Sequence, residues 1–394
     1  MLSKKYINLD LITLTLSLLI VFNYLIMFLF YNEYIGKIIF PSYVILLLFF
    51  FIYNPLKFVF FKLSLLLLIL ISAGSPLTGW DAWAIWSFHA KRIFLDHNFY
   101  ATLNNYTILH NDYPLMVPSF MVSFAQFLGA WNINFSKLSV FFLYFPIFIY
   151  SLKIFDNKFS KIFLIITLIV VNEFLFNVYV DGLVSVYFSF SAILIYEIFV
   201  NGKKDYNSIV ICFCFLVILS LLKNEGFVLS LIILSFIPIN NFFSRKPILV
   251  FDKSLIIYLS IVPYVLWKII CIKSGIENDL MNISLQDRFS SIGSILNKSY
   301  IISISLFLNY KFIISLTIFL VTFVYFKNKK LFLLTIYFSM AYIMILFFVY
   351  LTTPHDLNWH LNTSAKRTML AIQYFLLLIS ILNLQIKFKI NYKG

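Results

Sequence analysis

Charged residues are scarce in this chain: Asp, Glu, Lys and Arg together make up 12% of its 394 residues. A soluble domain carries about a quarter. This shortage, with a hydrophobic fraction of 62% and a mean hydropathy of +0.95, excludes a soluble enzyme and a disordered chain. Cysteine is scarce as well. Cys212, Cys214 and Cys271 all lie in apolar runs, so a disulfide-stabilised scaffold is also excluded.

Several ligand-binding motifs are missing too. There is no HExxH or CxxC pattern and no DxD pattern in the predicted outer loops, and His355 and His360 are five residues apart, which does not align them on one helical face. We therefore assign no metal ligands and expect no required cofactor, although a divalent metal ion stays open as an optional ligand. The absence of a Walker A or GxGxxG motif argues against a soluble nucleotide. The absence of an Arg/Gly-rich arm or basic helix argues against nucleic acid.

Long apolar runs dominate what is present. Twelve runs reach or come close to the roughly 20 residues that a membrane-spanning helix needs. They cover roughly 11–30, 38–53, 58–74, 135–152, 160–179, 183–200, 207–222, 226–239, 254–272, 311–326, 331–351 and 368–386. The sequence therefore predicts an all-α polytopic membrane protein with about twelve transmembrane helices and both termini in the cytoplasm.

Two further apolar stretches, 114–129 and 299–310, are predicted to be interfacial or re-entrant. Full crossings there would place the basic cluster Lys153, Lys158 and Lys161 outside, against the rule that cytoplasmic loops carry the positive charge. With this topology most of the formal charge of +14 lies on the cytoplasmic side. The run 11–30 is then a retained signal anchor, because it is too long for the core of a cleaved signal peptide.

The first long outer loop, 75–113, opens with GWDAWAIW at 79–86 and continues through His89, Lys91 and Arg92. An amphipathic helix lying on the membrane would explain Trp80, Trp83 and Trp86 as an interfacial belt. It explains Asp81 less well, because a carboxylate at the bilayer edge is costly unless it is paired or functional.

Three other segments place polar residues where the chain turns. His110 and Asp112 precede the helix that starts near Pro114, where Asp112 is either an N-cap or a ligand contact. Asp181 stands in YVDG, either as part of a tight turn or as a site residue. Lys223 and Glu225 stand in KNEG, where they either neutralise each other or serve a site. The sequence alone leaves all three alternatives open.

The last outer loop, 352–367, is the richest in polar side chains. It contains His355, Asp356, Trp359, His360, Lys366 and Arg367. Arg367 is predicted to stand at the start of the final helix, where a cation opposes the helix dipole. An anionic partner would offset that cost, and a phosphate suits a guanidinium group bidentately.

Five segments together resemble a known family. GWDAWAIW with a following Lys, HNDYPLMVP, YVDG, KNEG and YLTTPHDLNWHLNTSAKR look like motifs of bacterial GT-C membrane glycosyltransferases. This group is described as RgtA/B/C/D-like or dolichyl-phosphate-mannose–protein-mannosyltransferase-like. The resemblance covers about residues 58–386, and its last motif is the most specific.

The resemblance implies a single GT-C-like transmembrane domain over 1–394, with 1–57 as extra N-terminal helices and amphipathic juxtamembrane helices in the first periplasmic loop. It implies inverting transfer from a polyprenyl-phosphate sugar to a cell-envelope glycan, lipid or protein, on the periplasmic face of the bacterial inner membrane. No large soluble domain follows the membrane part, so acceptor recognition stays open, as does the oligomeric state.

Residue roles follow from the same resemblance. The family's loop carboxylate corresponds to Asp81, the expected base. Its second outer carboxylate corresponds to Asp181, which is expected to orient the acceptor or the base, or to bind an optional metal ion. The expected ligands of the donor phosphate are Arg367 first and Lys223 second, with His360 or Lys91 as further hydrogen-bond donors. The expected contacts to the acceptor, the sugar or the polyprenyl chain are Trp80, Trp83, His110, Asp112, Glu225, His355, Asp356 and Trp359.

Two other classes of membrane protein compete with this interpretation. A lipid or glycan transporter would place charged residues near the bilayer midplane and show internal repeats with broken helices. An O-antigen polymerase or ligase would concentrate its polar residues in one large late loop. Here the ionisable residues are predicted at helix ends, and the late loop is short.

Overall fold

A computed structural model describes residues 8–53, 58–103, 110–203, 205–243, 253–276, 292–326 and 328–391. Within these ranges the chain consists of helices and connecting loops, without a strand. Residues 104–109 of the predicted first loop lie outside the described part, as do Lys4, Lys5 and the far ends of both termini.

The helices follow one another with short connections. The longer ones are α1 (Leu9–Leu29), α2 (Ile35–Tyr53), α3 (Val59–Gly74), α4 (Phe88–Leu95), α5 (Met116–Leu128), α6 (Ile133–Phe142), α7 (Phe145–Ile154), α8 (Asn157–Leu175), α9 (Val180–Ile195), α10 (Tyr206–Leu222), α11 (Asn224–Phe243), α12 (Val262–Lys273), α13 (Ile292–Phe307), α14 (Tyr310–Phe326), α15 (Lys329–Leu351), α16 (Leu357–His360), α17 (Lys366–Thr368) and α18 (Leu370–Asn391). Shorter 3₁₀ or π segments cover Ala82–Ser87, Tyr196–Val200, Lys253–Ile261 and Leu361–Ala365.

All twelve predicted runs are helical, which confirms the polytopic helical architecture. By length and composition, eight of the described helices could cross a membrane, or nine if one bent pair counts as a span. The number twelve is not confirmed. Helices α3 and α10 are apolar but have only 16 and 17 residues, and α8 includes Lys158, Lys161 and Glu173.

The two stretches predicted to be interfacial or re-entrant differ from each other. The stretch 114–129 forms α5, whose 13 residues reach only about 20 Å, short of the roughly 30 Å hydrocarbon core. It is buried against α1, α2, α4 and α6, so it lies inside the bundle and not on its surface. The stretch 299–310 spans the junction of α13 and α14, which are bent by 64° at their break, as in a broken span or a re-entrant loop.

Three spans form the centre of the bundle. Buried residues make up 94% of the best apolar window in Ile133–Ile154 and 89% in Val180–Val200 and in Leu357–Ile386. The corresponding share is only 28% in Leu255–Lys273, so that helix is peripheral and turns most of its apolar side chains outward. The central spans carry Asp181 and Arg367, which places two of the predicted site residues in the interior.

Polar groups gather at two opposite ends of the central helices. At one end the Lys153 ammonium lies 2.7 Å from the Asp10 carboxylate, and Gln385 bonds the backbone of Ile154 at 2.8 Å. Gln385 and Arg367 lie in one 30-residue helical span and are 18 residues apart, or about 27 Å. Arg367 therefore lies about one hydrocarbon thickness away from the Asp10–Lys153 end.

Candidate active site

The predicted first outer loop, 75–113, brings Asp81 into the protein interior. The chain becomes helical at Trp80 and continues through Ala82–Ser87 into α4, which buries Asp81 to 7% exposure. The carboxylate of Asp81 accepts a hydrogen bond from Arg367 Nη1. Trp80 and Trp83 point outward and are 57% and 51% exposed, as the interfacial interpretation predicts. Trp86 is buried at 1% exposure, so the interpretation was wrong for this residue.

Arg367 does not stand at a helix start, so that expectation was wrong. The helix begins at Leu357 and passes through a π-helical turn at Leu361–Ala365, so most of the predicted loop 352–367 is helical. The guanidinium group of Arg367 lies 5.4 Å from the ring centroid of Tyr179, and its Nε donates to Thr363 O at 3.1 Å. Its anionic partner is Asp81, which is 286 positions away in the chain.

Asp181 lies in the first turn of α9, where a carboxylate is favoured by the helix dipole. It is 7% exposed. Its Oδ1 accepts a hydrogen bond from Lys223 Nζ at 3.2 Å, and its Oδ2 lies 4.0 Å from Arg367 Nη1. Asp181 therefore connects the two cations of the cluster.

Lys223 is the single residue between α10 and α11, and it adopts an extended conformation there. Its Nζ lies 3.2 Å from both Asp181 Oδ1 and Glu225 Oε1. Burial lowers the pKa of an ammonium group, but the two carboxylates outweigh burial and raise the pKa of Lys223 well above its usual value. The predicted Lys223–Glu225 neutralisation is confirmed, with Asp181 as a third member.

A narrow cleft opens beside these charges, with a volume of about 10 Å³, which is room for about one water molecule. Its walls are formed by Asp181, Val184, Ser185, Lys223, Glu225, Tyr342, Arg367, Thr368 and Ala371. Glu225 Oε2 is a buried atom of this wall that accepts no hydrogen bond from any described residue. The cleft therefore has an unused carboxylate oxygen beside charged groups that are already paired.

The end of the predicted first outer loop is held by a second polar cluster. The Lys268 ammonium lies 2.8 Å from Asp112 Oδ2 and 2.9 Å from Asp112 O, and Trp267 Nε1 donates to the same carbonyl at 3.0 Å. Asn224 Nδ2 donates to Asp112 Oδ2 at 2.7 Å. The N-cap interpretation of Asp112 was wrong, because α5 is preceded by Leu115 and has no side-chain cap.

Aromatic rings link this second cluster to the first. The His110 ring stacks on Tyr113 with centroids 4.8 Å apart, and Tyr113 in turn stacks on Trp86 at 5.7 Å. Lys223 Nζ lies 5.7 Å from the Tyr113 ring centroid. Both described ends of the first loop therefore contact the Lys223 neighbourhood.

Other predicted site residues are not drawn into the charged cluster. Asp356 caps α16 by accepting a hydrogen bond from Trp359 N at 2.8 Å, and His360 Nδ1 bonds Thr353 Oγ1 at 2.7 Å. His355 is exposed and packs edge-on against Trp359, which is itself 56% exposed. Lys91 is exposed on α4 and forms no ion pair within the described ranges.

Several cluster residues were not predicted as site residues: Tyr113, Tyr179, Asn224, Lys268 and Tyr342. Tyr113, Tyr179 and Asn224 lie inside the motifs HNDYPLMVP, YVDG and KNEG. Lys268 leaves a different signal, because it is a lone cation inside the apolar run 254–272. In the part of the chain that the structure covers, no group of three or more His, Cys, Asp or Glu side chains is arranged to hold a metal ion.

Comparison of the chain with known protein families, with curated proteins and with solved structures finds no match.

Proposed function

We propose that this membrane protein is an inverting glycosyltransferase that moves a sugar from a polyprenyl phosphate to a hydroxyl group of a cell-envelope acceptor. One observation carries the proposal. Two buried carboxylates, Asp81 and Asp181, meet the guanidinium group of Arg367 beside a cleft at one end of an apolar helical bundle. An acid–base group next to a phosphate-binding cation is what this transfer needs, and a lipid-linked donor needs the bilayer alongside.

The reaction is a single displacement at the anomeric carbon. The acceptor oxygen forms a bond to that carbon, the bond between the carbon and the phosphate oxygen breaks, and the electron pair leaves with the lipid phosphate. Asp81 takes the proton of the acceptor hydroxyl as a general base. The leaving phosphate is already anionic, so it requires nearby cations and not an acid.

Arg367 is the residue that we assign to the donor phosphate. Its Nη1 is directed at Asp81 and its Nε at Thr363, whereas its Nη2 group donates to no residue in the described ranges. A guanidinium group has five N–H donors and can hold a carboxylate and a phosphate oxygen together. The planar guanidinium group of Arg367 then holds both the base, Asp81, and the leaving phosphate.

Lys223 has a different role from the one its sequence suggests. Its ammonium group already contacts the carboxylates of Asp181 and Glu225, so its charge is balanced without a phosphate. We assign Lys223 to hold Asp181 in place beside Arg367. His360 and Lys91 make no contact that supports a phosphate-binding role, whereas exposed Trp80 and Trp83 suit the polyprenyl chain at the bilayer edge.

The position of the charges favours a transferase over a transporter. Asp181 lies in the first turn of α9, and Lys223 lies between α10 and α11. Arg367 lies inside its helical span but about one hydrocarbon thickness from the Asp10–Lys153 end. The cluster is thus at one end of the bundle, whereas transporters hold substrate near the midplane. The cluster is also assembled from four separate chain segments, which differs from the single late loop expected of a polymerase or ligase.

The test is transfer of radiolabelled sugar from undecaprenyl-phosphate donors in membranes that contain the full-length protein. We expect Asp81→Asn and Arg367→Ala each to lower the rate by about 100- to 1000-fold. The exposed pair Arg92–Asp96 on the same loop offers matched controls, since Asp96→Asn and Arg92→Ala remove the same groups outside the cluster. Full activity in Asp81→Asn would refute the base assignment, and no transfer by wild type from any donor would refute the function.

A further inference from the structure

The connection between α8 and α9, residues 176–179, has a strained backbone. Val178 within it has a φ of +59°, in the left-handed region that a β-branched residue rarely adopts. Val178 is also buried, at 2% exposure, so a change of backbone conformation there would disturb its neighbours. A conformation of this kind costs free energy and persists only where the surrounding structure enforces it.

The surrounding contacts join this connection to the start of the predicted first outer loop. Thr78 Oγ1 donates a hydrogen bond to Asn177 Oδ1 at 3.0 Å. The ring of Tyr179 packs directly on Gly79, where a Cβ would lie 2.3 Å from the nearest ring carbon. The strained connection therefore contacts the backbone that leads, two residues later, to Asp81.

The same ring also contacts the cation of the site. The centroid of the Tyr179 ring is 5.4 Å from the guanidinium carbon of Arg367, within the range of a cation–π interaction. Asp181 follows Tyr179 by two residues, and its Oδ2 lies 4.0 Å from Arg367 Nη1. One aromatic ring thus stands against both segments that bring Asp81 and Arg367 together across 286 positions of chain.

From these contacts we infer that Tyr179 is a positioning residue, and that the strained connection fixes its ring where it orients the guanidinium group of Arg367 toward Asp81. An arginine side chain has many rotamers, and a ring against its guanidinium group restricts them while its N–H donors stay available. Both contacts are made by ring atoms and not by the hydroxyl of Tyr179, so phenylalanine should serve as well. The inference rests on the proposed function and deepens it, because it names what keeps the base beside the phosphate-binding cation.

The experiment measures the coupling between Asp81 and Arg367 in the full-length protein in mixed micelles. A double-variant cycle with Asp81→Asn and Arg367→Gln gives this coupling as a ratio of unfolding equilibrium constants, without any substrate. We expect a coupling of about tenfold or more in wild type and in Tyr179→Phe, but about threefold or less in Tyr179→Leu. Tyr34→Leu is the matched control and should leave the coupling unchanged, because Tyr34 has a cation–π contact of 5.1 Å with Lys37 outside the cluster.

Two further measurements accompany the cycle. Tyr179→Leu should lower kcat for transfer from the undecaprenyl-phosphate donor by about 10- to 100-fold, whereas Tyr179→Phe should keep it. Val178→Gly should have an unfolding equilibrium constant at least about twofold smaller than that of Val178→Ala. This order is the reverse of that in a helix or strand, because glycine adopts a positive φ without strain.

Three results would overturn the inference. They are a coupling in Tyr179→Leu equal to that of wild type, a loss of coupling in Tyr179→Phe as large as in Tyr179→Leu, and a Val178→Ala protein more stable than Val178→Gly. The expected couplings without transfer by wild type from any donor would refute the proposed function and leave the positioning of the ion pair standing.

Discussion

Removal of the Lys223 ammonium group is expected to destabilise the fold strongly. The side chain of Lys223 is 7% exposed, and its Nζ lies 3.2 Å from carboxylate oxygens of both Asp181 and Glu225. The substitution Lys223→Met keeps most of the apolar length of the side chain and deletes the charge. It leaves the carboxylate of Asp181, whose side chain is also only 7% exposed, with Arg367 at 4.0 Å as its nearest cation.

The magnitude follows from this geometry. At 3.2 Å and an effective dielectric constant of 20, each ion pair has a gross attraction of about 5 kcal/mol. Desolvation of the three charged groups cancels much of this attraction, so the net contribution of the triad to the free energy of unfolding is small. Breaking it is different, because the buried carboxylate loses its partner and keeps its desolvation cost. The expected loss is about 3–5 kcal/mol in the free energy of unfolding.

Equilibrium unfolding in mixed detergent micelles measures this loss. Arg92→Met is the matched control, because Arg92 and Asp96 form an exposed pair whose side chains are 41% and 31% exposed. An exposed pair contributes less than about 1 kcal/mol. The double variant Lys223→Met with Asp181→Asn should recover part of the loss, since it removes the carboxylate that was left unpaired.

The pH dependence of this loss also follows from the site. The neighbouring carboxylates raise the pKa of Lys223 above the usual lysine value of about 10.4. A raised pKa stabilises the fold below the unfolded-state pKa, and this stabilisation disappears only as the pH rises through the folded-state pKa. The difference in unfolding free energy between wild type and Lys223→Met should therefore be constant from pH 6 to pH 9. A Lys223→Met protein as stable as Arg92→Met, or a difference that vanishes below pH 9, would refute the buried triad.

Two further predictions concern the elements that hold the cluster. Gly226→Ala should destabilise the protein by about 3 kcal/mol or more, because a Cβ there would lie 2.0 Å from Leu219 O. The control Gly74→Ala has open space around its Cβ and should change stability by less than about 0.5 kcal/mol. Equal effects of the two substitutions in the same unfolding assay would contradict the close approach of α11 to α10. Lys268→Met should release the end of the first outer loop from Asp112 and speed its proteolysis in intact membranes about tenfold, and an unchanged cleavage rate would show that this ion pair does not anchor the loop.

Much of the architecture could be predicted because a bilayer imposes a simple rule on sequence. A segment that crosses hydrocarbon must bond its own backbone and present apolar side chains, so helices appear as apolar runs. All twelve runs are helical for this reason. Their boundaries were harder to place, because Leu357–Thr363 mixes polar and apolar residues but continues the helix that contains Arg367. Local composition does not show that neighbouring segments shield those polar groups.

The membership of the charged cluster could be predicted only in part. Asp81, Asp181 and Arg367 stand out as ionisable residues near the ends of apolar runs, which is a local signal. Their pairing is not local, because Asp81 and Arg367 are 286 positions apart. Lys268 was missed because a single lysine in an apolar run does not indicate which loop lies beside it, and here that loop is 156 positions away.

In two of the motifs a glycine follows an acidic residue, and the structure shows why a larger side chain does not fit there. In YVDG, Gly182 follows Asp181, and a Cβ at Gly182 would lie 2.5 Å from both Tyr144 Oη and a Val171 methyl carbon. Any side chain there would push the first turn of α9 away from its neighbours. Asp181 would move with that turn, and its 3.2 Å contact with Lys223 would lengthen.

The same argument applies to KNEG, so the glycines of both motifs help to position the carboxylates of one charged cluster. Gly226 follows Glu225 and allows α11 to start directly against the last turn of α10. That approach leaves Lys223 as the only residue of the connection, so its short backbone segment aims the ammonium group at both carboxylates. An acid followed by glycine was therefore informative for a reason beyond turn formation. Gly182 lets the start of α9 pack against Tyr144 and α8, and Gly226 lets α11 start against α10. The two carboxylates are thereby placed where one lysine contacts both.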